Sequence, residues 1–296
     1  MLIALSTTTA VSHWLETAVS PCILHVFDHV CNLVDGDRRV ISLVTPKIGK
    51  GPFSLVVDLP RGNFTDFITA KSQVSVVGFE IQIGSLVVDA STTELWNARP
   101  LWENVPRSAI TTYLPLFESK LTNFSGDGFL FGSNSSDPAA LKAKTAVLTL
   151  QEGLKTNNLT AIQEGTRSLA GLGIGLTPAG DDFLLGVMYG LWLKNSQRGL
   201  VLSNVEVGAE AQRIVEVIAE EAVGRTTTLS GAWLEVASRG EAGQAWHELV
   251  GAMSEPDTST GSVDAISQAI NHILTTGHTS GADALAGFIT IIRIKG

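Results

Sequence analysis

The sequence predicts an α+β protein, with an N-terminal antiparallel β sheet or small barrel followed by a C-terminal all-helical domain. Three observations carry that expectation. β-Branched runs dominate residues 20–105, and no helical stripe fits them. From 137 onward, long helix-forming stretches follow one another and stop at Gly171, Gly224 and Gly277. The chain also has 296 residues, 44% hydrophobic and only 17% charged, which is enough for two small cores. The expected division is 1–110 for a mainly β domain, 111–136 for a linker or active-site loop, and 137–296 for the helical domain.

The β half reads in order. Two apolar stretches within 29–45 flank Asp35-Gly36-Asp37, and Asp-Gly between such stretches signals a hairpin. Residues 53–58 form a third strand, opened by Gly51-Pro52 and closed by Leu59-Pro60. Residues 73–83 and 86–90 read as another hairpin turning at Gly84-Ser85. The stretch from 96 to 137 is mixed and proline-bearing. Its tail, 123–136, is rich in Gly, Asn and Ser with interleaved Phe124, Phe129 and Phe131, as expected of a functional loop. In the helical half, Asp137 precedes Pro138, a capping residue before a first-turn proline. Helices are expected at about 137–155, 158–170, 206–223 and 263–276.

Charge and cysteine content exclude several classes. A net charge of −9 argues against nucleic acid or an anionic membrane as partner, because both reward clustered Lys and Arg. Two cysteines, Cys22 and Cys31, are too few for a disulfide framework or a zinc site and fit a reducing compartment. The N-terminus has no basic region ahead of its short apolar run, and no apolar stretch approaches the roughly 20 residues of a membrane span. A cytoplasmic protein is expected.

Three turns carry the chemistry. The first runs from Gly171 through Gly173, Gly175 and Thr177-Pro178 to Gly180-Asp181-Asp182. Thr177 is expected to cap a helix beginning at Pro178, whose free N–H groups and positive end suit a phosphate or carboxylate. The second, Gly277-His278-Thr279-Ser280-Gly281-Ala282-Asp283, echoes it: Gly180-x-Asp182-x-Leu184-x-Gly186 and Gly281-x-Asp283-x-Leu285-x-Gly287 share one spacing. Either a shared site or a shared packing habit explains the echo. The third, Gly224-Arg225-Thr226-Thr227-Thr228-Leu229-Ser230, places a guanidinium suited to carboxylate or phosphate beside four hydroxyls, although a plain Ser/Thr cap with a surface Arg fits equally. Walker and dinucleotide-binding loops are excluded by the missing Gly-Lys-Ser/Thr and by a helix preceding the first turn. His25 and His29 lie on a strand, where an i,i+4 pair is not a metal site, and the Lys47–Pro52 run reads as an exposed turn.

Gly173-x-Gly175-Leu176-Thr177-Pro178-x-Gly180-Asp181-Asp182-Phe183-Leu184-x-Gly186 resembles the hallmark of the AllH-type proteins. The Gly51-Pro52-Phe53 turn and the 277–287 segment match as well. The resemblance implies a subunit of oxamate carbamoyltransferase in allantoin catabolism, working with FdrA-like and YlbE-like partner subunits on carbamoyl phosphate and oxamate (oxalurate). On that reading Thr177, Asp181, Asp182 and Asp283 are the catalytic candidates. Gly173, Gly175, Gly180, Arg225, Thr226, Thr227, His278, Thr279, Ser280 and Gly281 are the substrate-binding ones. The N–H groups of Gly180 and Asp181 would hold phosphate or an oxyanion, Asp182 or Asp283 the carbamoyl NH₂, and Arg225 the oxamate carboxylate. No cofactor is implied. Adjacent carboxylates would repel an anion, so a Mg²⁺-dependent hydrolase and a non-catalytic metabolite-binding subunit stand as alternatives.

Overall fold

A computed structural model describes residues 1–59, 61–125, 138–196, 206–255 and 260–294. The chain divides into two compact units, 1–99 with 242–244, and 100–241 with 245–296.

The first unit is a nearly closed β barrel. Its elements in order are β1 (Leu2–Thr7), α1 (Thr9–Thr17), β2 (Cys22–Val26), β3 (Val30–Val34), β4 (Val40–Val44), β5 (Ser54–Val57), the single-turn α2 (Phe64–Phe67), β6 (Val74–Val77), β7 (Glu80–Ile83), β8 (Leu86–Asp89) and β9 (Glu94–Leu95). The sheet order is β2-β3-β4-β5-β1-β8-β7-β6, with β9 also on β1. Strand alternation fills the interior: Cys31 and Leu33, Ile41 and Leu43, Leu55 and Val57, Ile81 and Ile83 all enter one core, capped by Val11, Trp14 and Leu15 of α1. The expected β3–β4 hairpin forms. Asp35 organises its loop by accepting from the backbone N–H groups of Asp37 (3.1 Å) and Arg39 (2.9 Å), and from the Arg39 guanidinium.

The barrel differs from the sequence reading in three respects. The sheet is mixed: β1 runs parallel to β8 and β9, and β4 parallel to β5. The run 73–83 is two strands, broken by a turn at Gly78, whose φ of 60° suits glycine. The N-terminal residues 2–7, not read as a strand, form the strand that joins the two halves of the sheet. Their hydroxyl-rich end, Ser6-Thr7-Thr8, reads as a loop locally. All three side chains are nevertheless buried, and Thr8 both caps α1 and donates to the Pro52 carbonyl at 2.7 Å.

The second unit is helical: α3 (Arg107–Thr122), α4 (Pro138–Thr156), α5 (Leu159–Leu169), α6 (Ala179–Ser196), α7 (Glu206–Val223), α8 (Thr228–Ser238), α9 (Gln244–Ser254), α10 (Thr260–Leu274) and α11 (Ser280–Ile292). The helical stops at Gly171 and Gly277 take left-handed φ of 69° and 63°. The segment 111–122, expected within a linker, is helical and carries Pro115 inside α3. Asp137 and most of the expected loop, 126–137, lie outside the described residues.

Helices α6 and α11 form the centre. Almost every residue of α11 is buried, and α6 is buried on most of its surface, as expected of helices packed on all sides. Aromatic side chains line this core, Tyr189 stacking on Trp102 at 5.6 Å and packing on Trp246 at 4.9 Å, which in turn meets Phe288 at 5.2 Å. Among the described residues no helix is long and apolar enough to cross a membrane.

Candidate functional site: two helix starts and a clasp

The echoed glycines fix the geometry. A Cβ on Gly186 would lie 1.7 Å from the Ala284 carbonyl oxygen, and one on Gly287 would lie 2.0 Å from that of Phe183. A Cβ on Gly190 would lie 2.7 Å from Ile291. The Gly186–Ala284 and Gly190–Ile291 contacts and the Lys194 hydrogen bond to the Ile294 carbonyl advance together along both segments, so α6 and α11 run parallel with their backbones in close approach. Their N-termini therefore meet at one end. There the Thr177 and Ser280 hydroxyls are hydrogen-bonded at 2.9 Å, joining the first turn to the second.

The third turn acts as a clasp. Thr227 caps α8 by accepting from Ser230 N–H at 3.1 Å, and its hydroxyl donates to the Leu176 carbonyl at 2.6 Å. Asp181 completes the lock. One carboxylate oxygen accepts from Gly171 N–H at 2.9 Å; the other accepts from the Thr226 hydroxyl and from Ser230 at 3.0 Å. Burial pushes the Asp181 carboxyl up, while those three bonds draw it back down. Ser230 was not among the sequence candidates. It is nearly fully buried, and only the fold shows which carboxylate it meets.

Asp182 faces the other way. It is 7% exposed, and its Oδ2 has no hydrogen-bond partner among the described residues. Burial raises its carboxyl well above the usual range; the Ser280 and Thr177 hydroxyls oppose the shift, and repulsion from Asp283 and Asp181 adds to it. Asp283, fully buried in the first turn of α11, is thus the second carboxyl of the cluster. A dry carboxyl pair with two hydroxyls can accept from an amide NH₂, donate once protonated, or surround a cation. Among the described residues no three His, Cys, Asp or Glu side chains come together as a metal set.

The other candidates take different places. The Gly180 and Asp181 N–H groups, expected to hold an anion, are occupied: Gly180 donates to Leu172 at 2.8 Å and Asp181 to Pro178 at 2.9 Å, while Gly281 donates to Thr276 at 3.1 Å. Helix α6 starts at Ala179, and the Thr177 hydroxyl before it is bonded to Ser280. Gly180 and Gly281 sit against the Leu169 and Ile273 carbonyls, where a Cβ would come within 2.0 and 1.8 Å. Gly173 and Gly175 are exposed, with φ of 116° and 108°, and bend the loop that carries Ile174 outward. Arg225 is directed back to the end of α7, donating to the Glu221 carbonyl at 2.8 Å and pairing with its carboxylate at 3.6 Å. His278 is exposed on the second turn, and Thr279 precedes α11 without a side-chain capping bond.

Comparison with known proteins gives two matches. The AllH family N-terminal domain matches residues 4–95, which is the barrel with its flanking strands. The family described as oxamate carbamoyltransferase subunit AllH matches residues 169–292, from the end of α5 to the end of α11, so all three turns fall inside it. No curated protein and no solved structure matches the chain. Both family matches point to one family and together cover most of the sequence: the chain belongs to the AllH family.

Proposed function

We propose that this chain is the subunit of a cytoplasmic carbamoyltransferase that binds the carbamoyl group during transfer between carbamoyl phosphate and oxamate, giving oxalurate and phosphate. The observation that carries the reading is the Thr177–Ser280 hydroxyl pair beside the buried Asp182 and Asp283, inside the stretch matched by the transferase-subunit family. In the reaction the oxamate amide nitrogen attacks the carbamoyl carbon, the C–O bond to phosphate breaks, and the nitrogen loses a proton. A carbamoyl group needs donors at its oxygen and an acceptor at its NH₂. Thr177 and Ser280 hydroxyls supply the first, and an Asp182 or Asp283 carboxylate the second. Such a transfer needs positioning and charge stabilisation more than a covalent relay.

No cation among the candidates faces this cluster as placed, Arg225 being held at Glu221. The groups that take the oxamate carboxylate are therefore assigned to partner subunits of the FdrA-like and YlbE-like kinds. The test follows carbamoyl phosphate consumption with oxamate. The isolated chain is expected to be inactive and the three-subunit mixture active. Asp182→Asn in that mixture is expected to lower the rate at least about 100-fold, as for removal of a positioned polar group in an active site. Full activity from the isolated chain would remove the partner requirement, and full activity of the Asn variant would remove the site.

A further inference from the structure

The sequence pairs Asp181 with Asp182, but the fold pairs Asp182 with Asp283. Asp181 already has its three donors and is not available as a ligand. Asp182 keeps one oxygen buried and without a partner among the described residues, beside the Thr177 and Ser280 hydroxyls. The charged groups acting on it are Asp283 and Asp181, both acidic. Two converging helix N-termini supply only about half a positive charge each. That falls short of two carboxylates, and a phosphorylated substrate would add further negative charge.

We propose that a divalent cation of the Mg²⁺ class binds between the Asp182 and Asp283 carboxylates, with the Thr177 and Ser280 hydroxyls as neutral oxygen donors. The donor set selects the class. Zinc favours nitrogen and sulfur, and Ca²⁺ takes six to eight oxygens, often several carboxylates. Mg²⁺ is held by one or two carboxylates and keeps waters that substrate phosphate oxygens replace. The phosphorylated substrate in this picture rests on the transferase reading; the cation itself rests on the cluster alone. Bound there, it removes the carboxyl–carboxyl repulsion and lets an anion approach two acidic helix starts.

The experiment uses the full chain freed of metal with EDTA and then dialysed. Mn²⁺, a paramagnetic stand-in for Mg²⁺, is titrated in and read by electron paramagnetic resonance, with Mg²⁺ as competitor. Saturable binding of one Mn²⁺ per chain, displaced by Mg²⁺, is expected. Asp182→Asn and Asp283→Asn should each weaken it by at least about tenfold, the scale of losing a supporting or direct metal contact. Glu248→Gln, at a surface pair with His272, should leave it unchanged. Circular dichroism establishes folding of each variant; if either Asn variant fails to fold, Ser280→Ala supplies the readout, with weaker Mn²⁺ binding expected. Absence of saturable binding in the wild type, or binding equal in the folded variants, overturns the proposal. Assays of the assembled transferase separate the two readings. Activity undiminished in excess EDTA excludes the cation while the transferase stands. Inactivity with Mg²⁺ present counts against the transferase, while Mn²⁺ binding to the chain still supports the cation.

Discussion

Neighbouring carboxylates Asp181 and Asp182 divide the labour of the first turn. Asp181 fastens three segments through Gly171, Thr226 and Ser230. Removing a buried acceptor strands its donors, at about 1–3 kcal/mol for each group left unsatisfied. Asp181→Ala is therefore expected to destabilise the protein by about 3 kcal/mol or more in urea denaturation. Asp182→Asn removes a carboxyl that fastens nothing on Oδ2, so its unfolding midpoint should not fall while transfer activity does. A midpoint loss equal to that of Asp181→Ala would make Asp182 a structural residue only. The cysteines give a second contrast at this scale. Cys22 is exposed, whereas burial pushes the Cys31 thiol up to about 12. A thiol reagent at pH 8 should titrate Cys22 alone in the native protein and both residues after unfolding; rapid native reaction of both would contradict the packing of Cys31.

The α6–α11 pair is the element on which the site depends. Its helices approach so closely that a methyl group at Gly186 or Gly287 would meet a backbone oxygen. Gly186→Ala and Gly287→Ala are each expected to cost at least about 1–3 kcal/mol, the range for overpacking a core, because a backbone carbonyl cannot turn aside as a side chain can. Gly251, inside α9, has nothing within 4 Å of the position a Cβ would take. Gly251→Ala should raise stability by about 0.5–1 kcal/mol through helix propensity. Thermal unfolding of the three variants checks the ordering, and equal midpoints would refute close packing. The same pair shows what the Gly-x-Asp-x-Leu-x-Gly echo encodes. Its last glycines serve the helix contact, and its aspartates Asp182 and Asp283 come to the same end because the contact is parallel.

At the scale of the whole chain, net charge limits the partners. With 20 Lys and Arg against 29 Asp and Glu, the chain lacks the basic excess that counterion release rewards. No mobility shift of a short DNA duplex is expected at physiological salt, and a salt-sensitive complex would contradict that. The two compact units are built differently. The first is a nearly closed barrel around an apolar core, and the second holds all three turns. On the proposed function, the helical unit presents the groups that bind the carbamoyl substrate, and the complementary cations come from the partner subunits. The three-subunit assay described above tests that division.

The sequence by itself determined the α+β class, the β3–β4 and β7–β8 hairpins, the glycine stops of α5, α7 and α10, and the turns that hold the candidate site. Each of these is set by local rules: strand alternation, turn glycines and helix ends. The resemblance carried by Gly-Leu-Thr-Pro-x-Gly-Asp-Asp also placed the chain in its family, because that signature is contiguous. Tertiary structure decided the rest. It turned Ser6-Thr7-Thr8 into the buried end of a joining strand and its helix cap, and gave Arg225 to Glu221. It occupied the Gly180 and Asp181 N–H groups with Leu172 and Pro178. It also separated Asp181 from Asp182, since successive residues on a helix point about 100° apart and meet different neighbours. Which of two adjacent carboxylates is fastened and which is left open depends on segments some 50 and 100 residues away, such as Thr226, Ser230 and Ser280. No local spacing records that; it is fixed only when α8 and α11 pack against α6.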